Sequence, residues 1–454
     1  MTTGDLQQKA ADKKDVRKKI AIIGGGISGL SCAHLLADTH HVEVFEAAPT
    51  LGGHTATKTV ATAGGHYDVD TGFIVFNDRT YPHFLKLLAK LKVDYQKTSM
   101  GFSVTNQVTG YEYAGTSLNG LFAQRRNLAS PQHWRLLGDI LRFNKLCIRL
   151  HDEGAIPDTT LGDFLAAQGF SEHFSTHYIL PMVSAIWSSG LATAARMPLL
   201  FFIRFFHNHG LLTVTQQPQW YTITGGSKSY LAPLTENFKD NIHLGCPVIF
   251  IRRTPQGVIV YSQGFGEQLF DEVVLACHSD QALKLIVDPT PEEYEILSAI
   301  PYRANKVQLH ADTSLLPRSE RAWASWNYRI PRVQAGEEEA AVLTYNMNIL
   351  QNLVAPVTFC VSVNAGDQVN PARLYGTYDY AHPVFTRESV AAQTFWASIS
   401  GQNRTHFCGA YWRNGFHEDG LVSGIRVAQA LGADCSALLG DGASDSSVAS
   451  GIGG

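Results

Sequence analysis

One stretch constrains this chain more than any other: Ile20-Ala-Ile-Ile-Gly24-Gly25-Gly26-Ile27-Ser28-Gly29, continuing to Val42-Glu-Val-Phe-Glu46. The apolar run Ile20 to Ile23 reads as a strand buried on both faces. The glycines read as a turn into a helix, and Val42 to Phe45 as the next parallel strand. Such a βαβ unit needs a larger parallel sheet around it, so the chain is expected to be an α/β protein.

Each glycine has a steric task. Gly24 makes the tight turn, Gly26 lets backbone N–H groups approach a diphosphate, and Gly29 lets helix and strand pack closely. The helix N-terminus behind Ile27 and Ser28 offers partial positive charge to phosphates. Glu46, followed by Ala47, closes the second strand, where a carboxylate accepts ribose hydroxyls. The expected ligand is an adenine dinucleotide with a free 2′-OH.

The chain has 454 residues, of which 45% are hydrophobic and 17% charged, enough for two or three domains' worth of core. A formal charge of −4, with no basic stripe beyond the first residues, argues against nucleic acid as a partner. Seven cysteines lie scattered without CxxC pairs or histidines at ligand spacing, so no metal is expected and reduced thiols in a cytoplasm are. Met197 to Phe206 is the most apolar segment, too short to span a bilayer and carrying Arg204. It reads most simply as a core helix, with a greasy pocket wall or a membrane-surface contact as alternatives.

After Glu46 come Leu51-Gly52-Gly53-His54 and then Asp70-Thr71-Gly72-Phe73; near the C-terminus stands Gly409-Ala-Tyr-Trp412-Arg-Asn-Gly415-Phe-His417-Glu418-Asp419-Gly420. In this order the motifs resemble the flavin-containing amine oxidase superfamily. Their wording, with Ala324-Ser-Trp326-Asn-Tyr328 and Thr344-Tyr345-Asn346-Met-Asn348, is similar to a bacterial branch described as predicted NAD/FAD-binding oxidoreductases, whose members accompany cyclopropane fatty acid synthases.

The resemblance implies noncovalent FAD, held in a Rossmann-type domain (19–77, 218–286 and 395–436) joined to a discontinuous α+β substrate domain (78–217 and 287–394); the polar composition of the two ends reads as a flexible tail at 1–18 and a disordered one at 437–454. It places the cofactor against Gly52, Gly53 and His54, where relatives carry arginine, and against Thr71, Gly72 and Phe73. Val248 corresponds to an adenine contact, and Gly409, Asp419 and Gly420 to the flavin end. Cys408, beside the closing glycine, lacks the family's attachment context.

Lys306 falls where relatives hold a water near flavin N5; read from residue type alone, it is as well a solvent-facing strand residue. His417 takes the position of a cage tyrosine, as donor, base or, in the favoured reading, a packing residue. Trp326, Tyr345, Asn346 and Trp412 are expected in the substrate wall. The function so implied is an FAD-dependent oxidoreductase that desaturates, saturates or isomerises an apolar substrate, a fatty acyl chain, by hydride transfer at N5. The alternatives are an amine oxidase releasing imine and peroxide, and a non-catalytic flavoprotein partner of a lipid-modifying enzyme. A fatty-acid-modifying methyltransferase and peripheral membrane contact complete the expected partners.

Overall fold

The computed structural model describes residues 17–187, 189–213, 217–330 and 342–439. Most of the two expected tails, and the turn expected at Pro331 to Gly336, lie outside the described residues.

Ile20 to Ile23 form the centre of a five-stranded sheet ordered Ile242–His243, His41–Phe45, Lys19–Ile23, Glu272–Leu275, Thr405–Phe407, with every neighbouring pair parallel. The uninterrupted apolar runs are accounted for by burial on both faces. On one face lie the fingerprint helix Ile27–Leu36 and the closing helix His417–Ala430, whose contact depends on small residues: a Cβ on Gly424 would stand 2.4 Å from the Ser28 carbonyl oxygen. The three-stranded crossover Val248–Thr254, Gly257–Ser262, Gly266–Phe270 is antiparallel.

A second, seven-stranded sheet runs Leu374–Pro383, Tyr302–His310, Cys360–Val363, Val342–Asn346, Trp326–Ile330, Phe102–Asn106, Glu112–Ala114. It is antiparallel except where Trp326–Ile330 meets Phe102–Asn106. Helices from residues 118 to 208 build a second core with its inner strands, and the segment Leu199–Asn208 buries Phe202, Ile203, Phe205 and Phe206 there. The core-helix reading of that segment is therefore the one its packing follows.

The cores do not divide where the expected domain limits fall. Helix Pro82–Leu91, assigned from sequence to the substrate domain, puts Phe84, Leu87 and Leu88 into the nucleotide-domain core, as do Ile296, Leu297 and Ile300 beyond position 286. Pro181, a residue type that ordinarily breaks a helix, lies inside the helix Leu180–Trp187. The preceding Ser175–Ile179 turn is a π-turn, in which the bonding shifts by a residue and the missing proline N–H is accommodated.

Candidate FAD and substrate site

Between the C-terminal ends of the parallel strands and the inner face of the second sheet lies a cavity of about 740 Å³. Its nucleotide end is built by the fingerprint. Gly24 N–H donates to the Phe45 carbonyl at 2.9 Å, and Gly52 N–H to the Gly25 carbonyl at 2.8 Å, so the two glycine turns are stitched together. Glu46 accepts from Gly25 N at 2.7 Å and Ala48 N at 2.8 Å, which fixes its carboxylate at the cavity edge. Gly24, Gly26, Ile27, Ser28, Ala47, Gly52, Gly53, His54, Thr71, Gly72, Phe73, Val248 and Gly409 all line the same space.

Two features fit an elongated dinucleotide. A Cβ built on Gly26 meets nothing within 4 Å, so the cavity opens directly over the helix N-terminus. His54, half-buried in the cavity lining, has a shielded Nε2 without a hydrogen-bond partner. Burial among His382, His278 and His417 keeps the His54 ring well below its ordinary pKa, and hence neutral.

Gly29 and Gly420 serve the site without lining it. A Cβ on Gly29 would stand 2.1 Å from the Gly24 carbonyl oxygen, and one on Gly420 2.8 Å from Ile27. Asp419 caps its own helix by accepting from Phe416 N at 2.9 Å; burial raises it to about 6 although Arg413 opposes this. Asp70 is a fastener. It accepts from Ser227 N (2.9 Å), Ser227 Oγ (2.8 Å) and Thr57 Oγ1 (2.6 Å), tying the Thr57–Asp70 hairpin to the Gly225-Gly226 turn.

At the end of the cavity that the resemblance assigns to the flavin, His417 stacks on Phe73 with ring centroids 3.8 Å apart and bonds through Nε2 to the Tyr230 hydroxyl at 2.9 Å. Burial lowers its pKa to about 3, so a neutral packing ring is what this geometry provides. The expectation for Lys306 does not hold. Alternation along Tyr302–His310 turns Asn305 and Val307 inward and Lys306 outward, where its side chain is 66% exposed and pairs with Asp379 at 3.0 Å. Val307, not Lys306, lines the cavity.

Of the four expected wall residues, Trp326 and Tyr345 line the cavity, their rings 5.3 Å apart. Asn346 and Trp412 do not. Asn346 caps a short helix by accepting from Ile349 N at 3.3 Å, and Trp412 is buried in the first core while its neighbour Tyr411 faces the cavity. Cys408 is fully buried in that core, its thiol held protonated by burial.

Sequence reasoning missed Tyr380 and His382, which enter from the edge strand Leu374–Pro383, and Phe385 just after it. The period-two run Tyr378-x-Tyr380-x-His382 was the available signal. His382 is held by a relay: Lys306 N–H donates to Asn364 Oδ1 (3.1 Å), Asn364 Nδ2 to Asn305 Oδ1 (2.7 Å), and Asn305 Nδ2 to His382 Nδ1 (2.9 Å). The hydrogen of neutral His382 is thereby placed on Nε2.

Ile186, Trp187, Val307, Val363 and Phe385 add apolar surface to the wall, and His278, Gln281, Lys284 and Asn414 add polar groups. Among the described lining residues, Glu46 is the sole carboxylate. One cluster lies apart: His151, Asp152 and His207 bring potential metal-ligand atoms within 4.8 Å of one another, although the sequence spacing gave no sign of it. The two imidazoles stack at 3.7 Å. Among the described residues no helix is long and apolar enough to cross a membrane.

The flavin containing amine oxidoreductase family model matches residues 27–336. Among solved structures, the chain resembles cyclohexylamine oxidase from Brevibacterium oxydans (18% identity, TM-score 0.65, 91% of this chain and 98% of that one). It is also similar to a CLA-producing fatty acid isomerase from P. acnes (14%, 0.63, 91% and 98%) and to a UDP-galactopyranose mutase (14%, 0.64, 94% and 97%). At these identities the likeness establishes the fold. A carotenoid φ-ring synthase from Chlorobaculum tepidum is 36% identical over 81 residues, which are 18% of this chain and only 12% of that protein. With a family match over most of its length and a cavity whose glycine cradle fits a dinucleotide, the chain belongs to the flavin containing amine oxidoreductases and is an FAD-dependent oxidoreductase.

Proposed function

We propose that this enzyme acts on an apolar lipid substrate, a fatty acyl chain, by desaturation, saturation or isomerisation. The observation that carries the reading is the part of the cavity facing the second sheet, where Trp187, Val307, Trp326, Tyr345, Val363 and Phe385 predominate; the one lining carboxylate, Glu46, is committed to backbone N–H groups at the nucleotide end. An acyl chain gains about 0.8 kcal/mol for each CH₂ it buries against such a wall.

Bound FAD supplies hydride transfer at its N5. The protein's part is placement. The Phe73–His417 stack, held by Tyr230, gives a rigid neutral floor, while Trp187, Trp326 and Tyr345 exclude water from an apolar substrate. His382 presents an Nε2–H donor on the sheet side of the cavity, suited to a substrate carbonyl or carboxylate. Cyclopropane and unsaturated chains are the first candidates, in keeping with a partner methyltransferase.

The test is an anaerobic absorbance titration of the purified flavoprotein with free and phospholipid-bound acyl chains and with a panel of amines. Flavin bleaching by an acyl chain supports the reading. Bleaching by amines alone replaces it with the amine oxidase alternative. If neither bleaches the flavin, product analysis by mass spectrometry decides between redox-neutral isomerisation and a binding role.

A further inference from the structure

We infer that the outward face of the long helix Pro131–Asp152 docks the protein on an anionic lipid surface. The helix has 22 residues, starting with Ser130 as cap and Pro131 in its first turn. Leu136, Phe143 and Cys147 turn inward and are fully buried. Outward, Trp134 (52% exposed) and Leu141 (58%) stand two turns apart on one stripe, and Leu128 (53%) lies beside them. Trp134 is oriented in advance: its Nε1 donates to the Leu128 carbonyl at 2.9 Å and its ring packs 5.3 Å from Phe122.

Between and beside these apolar tips the same face carries Arg135, Arg142, Lys145 and Arg149, all exposed. Until Asp152 the helix exposes no acid; its one internal carboxylate, Asp139, is buried and accepts from Ser171. Arg142 shares its charge with Asp139 at 3.1 Å, which leaves Arg135, Lys145 and Arg149 to act outward. In a chain of net charge −4 this is a local reversal of sign.

Apolar tips interleaved with cations on a single helical face match the boundary between headgroups and acyl chains. A purely acidic protein surface would use the cations but not Trp134 and Leu141. The place in the fold agrees: Phe143 packs on Phe202, and Phe205 of the same segment packs 4.6 Å from Trp187, a cavity-lining residue. The docking face is thus one helix away from the substrate wall. The inference deepens the lipid reading of the cavity but rests on separate residues, so either can fail alone.

The experiment is co-sedimentation of the flavin-loaded protein with vesicles of phosphatidylcholine alone or mixed with phosphatidylglycerol, at low and high salt. Wild type is expected to pellet with the anionic vesicles at low salt and to be released by high salt. With roughly five-fold in affinity for each cation near such a surface, R135Q/K145Q should bind some 25-fold more weakly. W134A/L141A should also bind at least about five-fold more weakly, from lost apolar insertion, while retaining the salt response. Both variants should keep the wild-type flavin spectrum, since all four side chains are exposed. Absence of binding to anionic vesicles at low salt overturns the inference, as does wild-type binding by R135Q/K145Q. Loss in R135Q/K145Q with no change in W134A/L141A also overturns it, in favour of a purely acidic partner surface. None of these readouts needs turnover, so a negative acyl-chain titration leaves the inference standing.

Discussion

Two glycines of one motif divide folding from cofactor binding. Gly29→Ala drives a methyl into the Gly24 carbonyl oxygen, and overpacking of that kind costs about 1–3 kcal/mol, here in the central βαβ unit. Gly26→Ala meets open space on an ordinary extended backbone (φ −83°, ψ 178°). It should therefore leave the urea midpoint of flavin-stripped protein unchanged yet weaken FAD binding at least ~10-fold, because the methyl occupies the diphosphate's place. Equal losses of stability in both variants would refute that division of labour. Lys306→Met should leave both flavin half-reactions within about two-fold and stability within about 0.5 kcal/mol, since an exposed ion pair contributes little. Stopped-flow rates that fall ten-fold would return Lys306 to the mechanism.

Glu418 ties the closing helix to helix Pro82–Leu91. Glu418 accepts from His83 N (2.9 Å), Phe84 N (2.9 Å) and His83 Nδ1 (2.7 Å), so it caps helix Pro82–Leu91 from outside. Glu418→Ala strands two N–H groups at a helix N-terminus and should cost about 2–4 kcal/mol, read as a lower urea midpoint with an unchanged slope. A loss below about 0.5 kcal/mol would show that water replaces the cap. Glu418 also marks what could be read from sequence and what could not. The βαβ unit and its glycines were legible because their constraint is local, set by periodicity and sterics within thirty or so residues. The partners of Glu418, 335 positions away, carry no local signal. Likewise a one-residue choice of strand face decides whether Lys306 or Val307 reaches the cavity, and that choice is fixed by pairing with Tyr378 and Val363. Trp412 and Tyr411 were exchanged for the same reason: motif order located the loop, but tertiary packing chose which ring faces inward.

At the scale of the whole molecule, two cores closing on one cavity leave many imidazoles in dry surroundings, and this sets the response to acid. Burial lowers His177, His209, His310 and His382 to about 4 and His417 to about 3, with His54 well below normal. Between these values and the ordinary 6.5, the unfolded chain binds protons that the folded chain refuses, so stability falls as pH drops through that window. Asp70 and Asp419 act in the opposite sense. Each is raised to about 6, so the folded state binds their protons first and gains stability as pH falls from 6 towards 3.8. Six histidines outweigh two aspartates, and each net proton changes stability by roughly 1.4 kcal/mol per pH unit. The urea midpoint, at fixed excess FAD, should therefore be highest near neutrality and drop by pH 5. His310 lies outside the cavity, with Nδ1 accepting from Asp312 N and Nε2 paired to Ser362 Oγ at 2.8 Å, so it tests the cause without touching the site. His310→Gln should shrink the difference between pH 7.5 and pH 5, and Asp70→Asn should enlarge it by removing an opposing proton. A midpoint that stays level or rises towards pH 5 would mean that these buried rings are charged in the folded protein, and that the dry cavity wall on which a lipid substrate depends is wet.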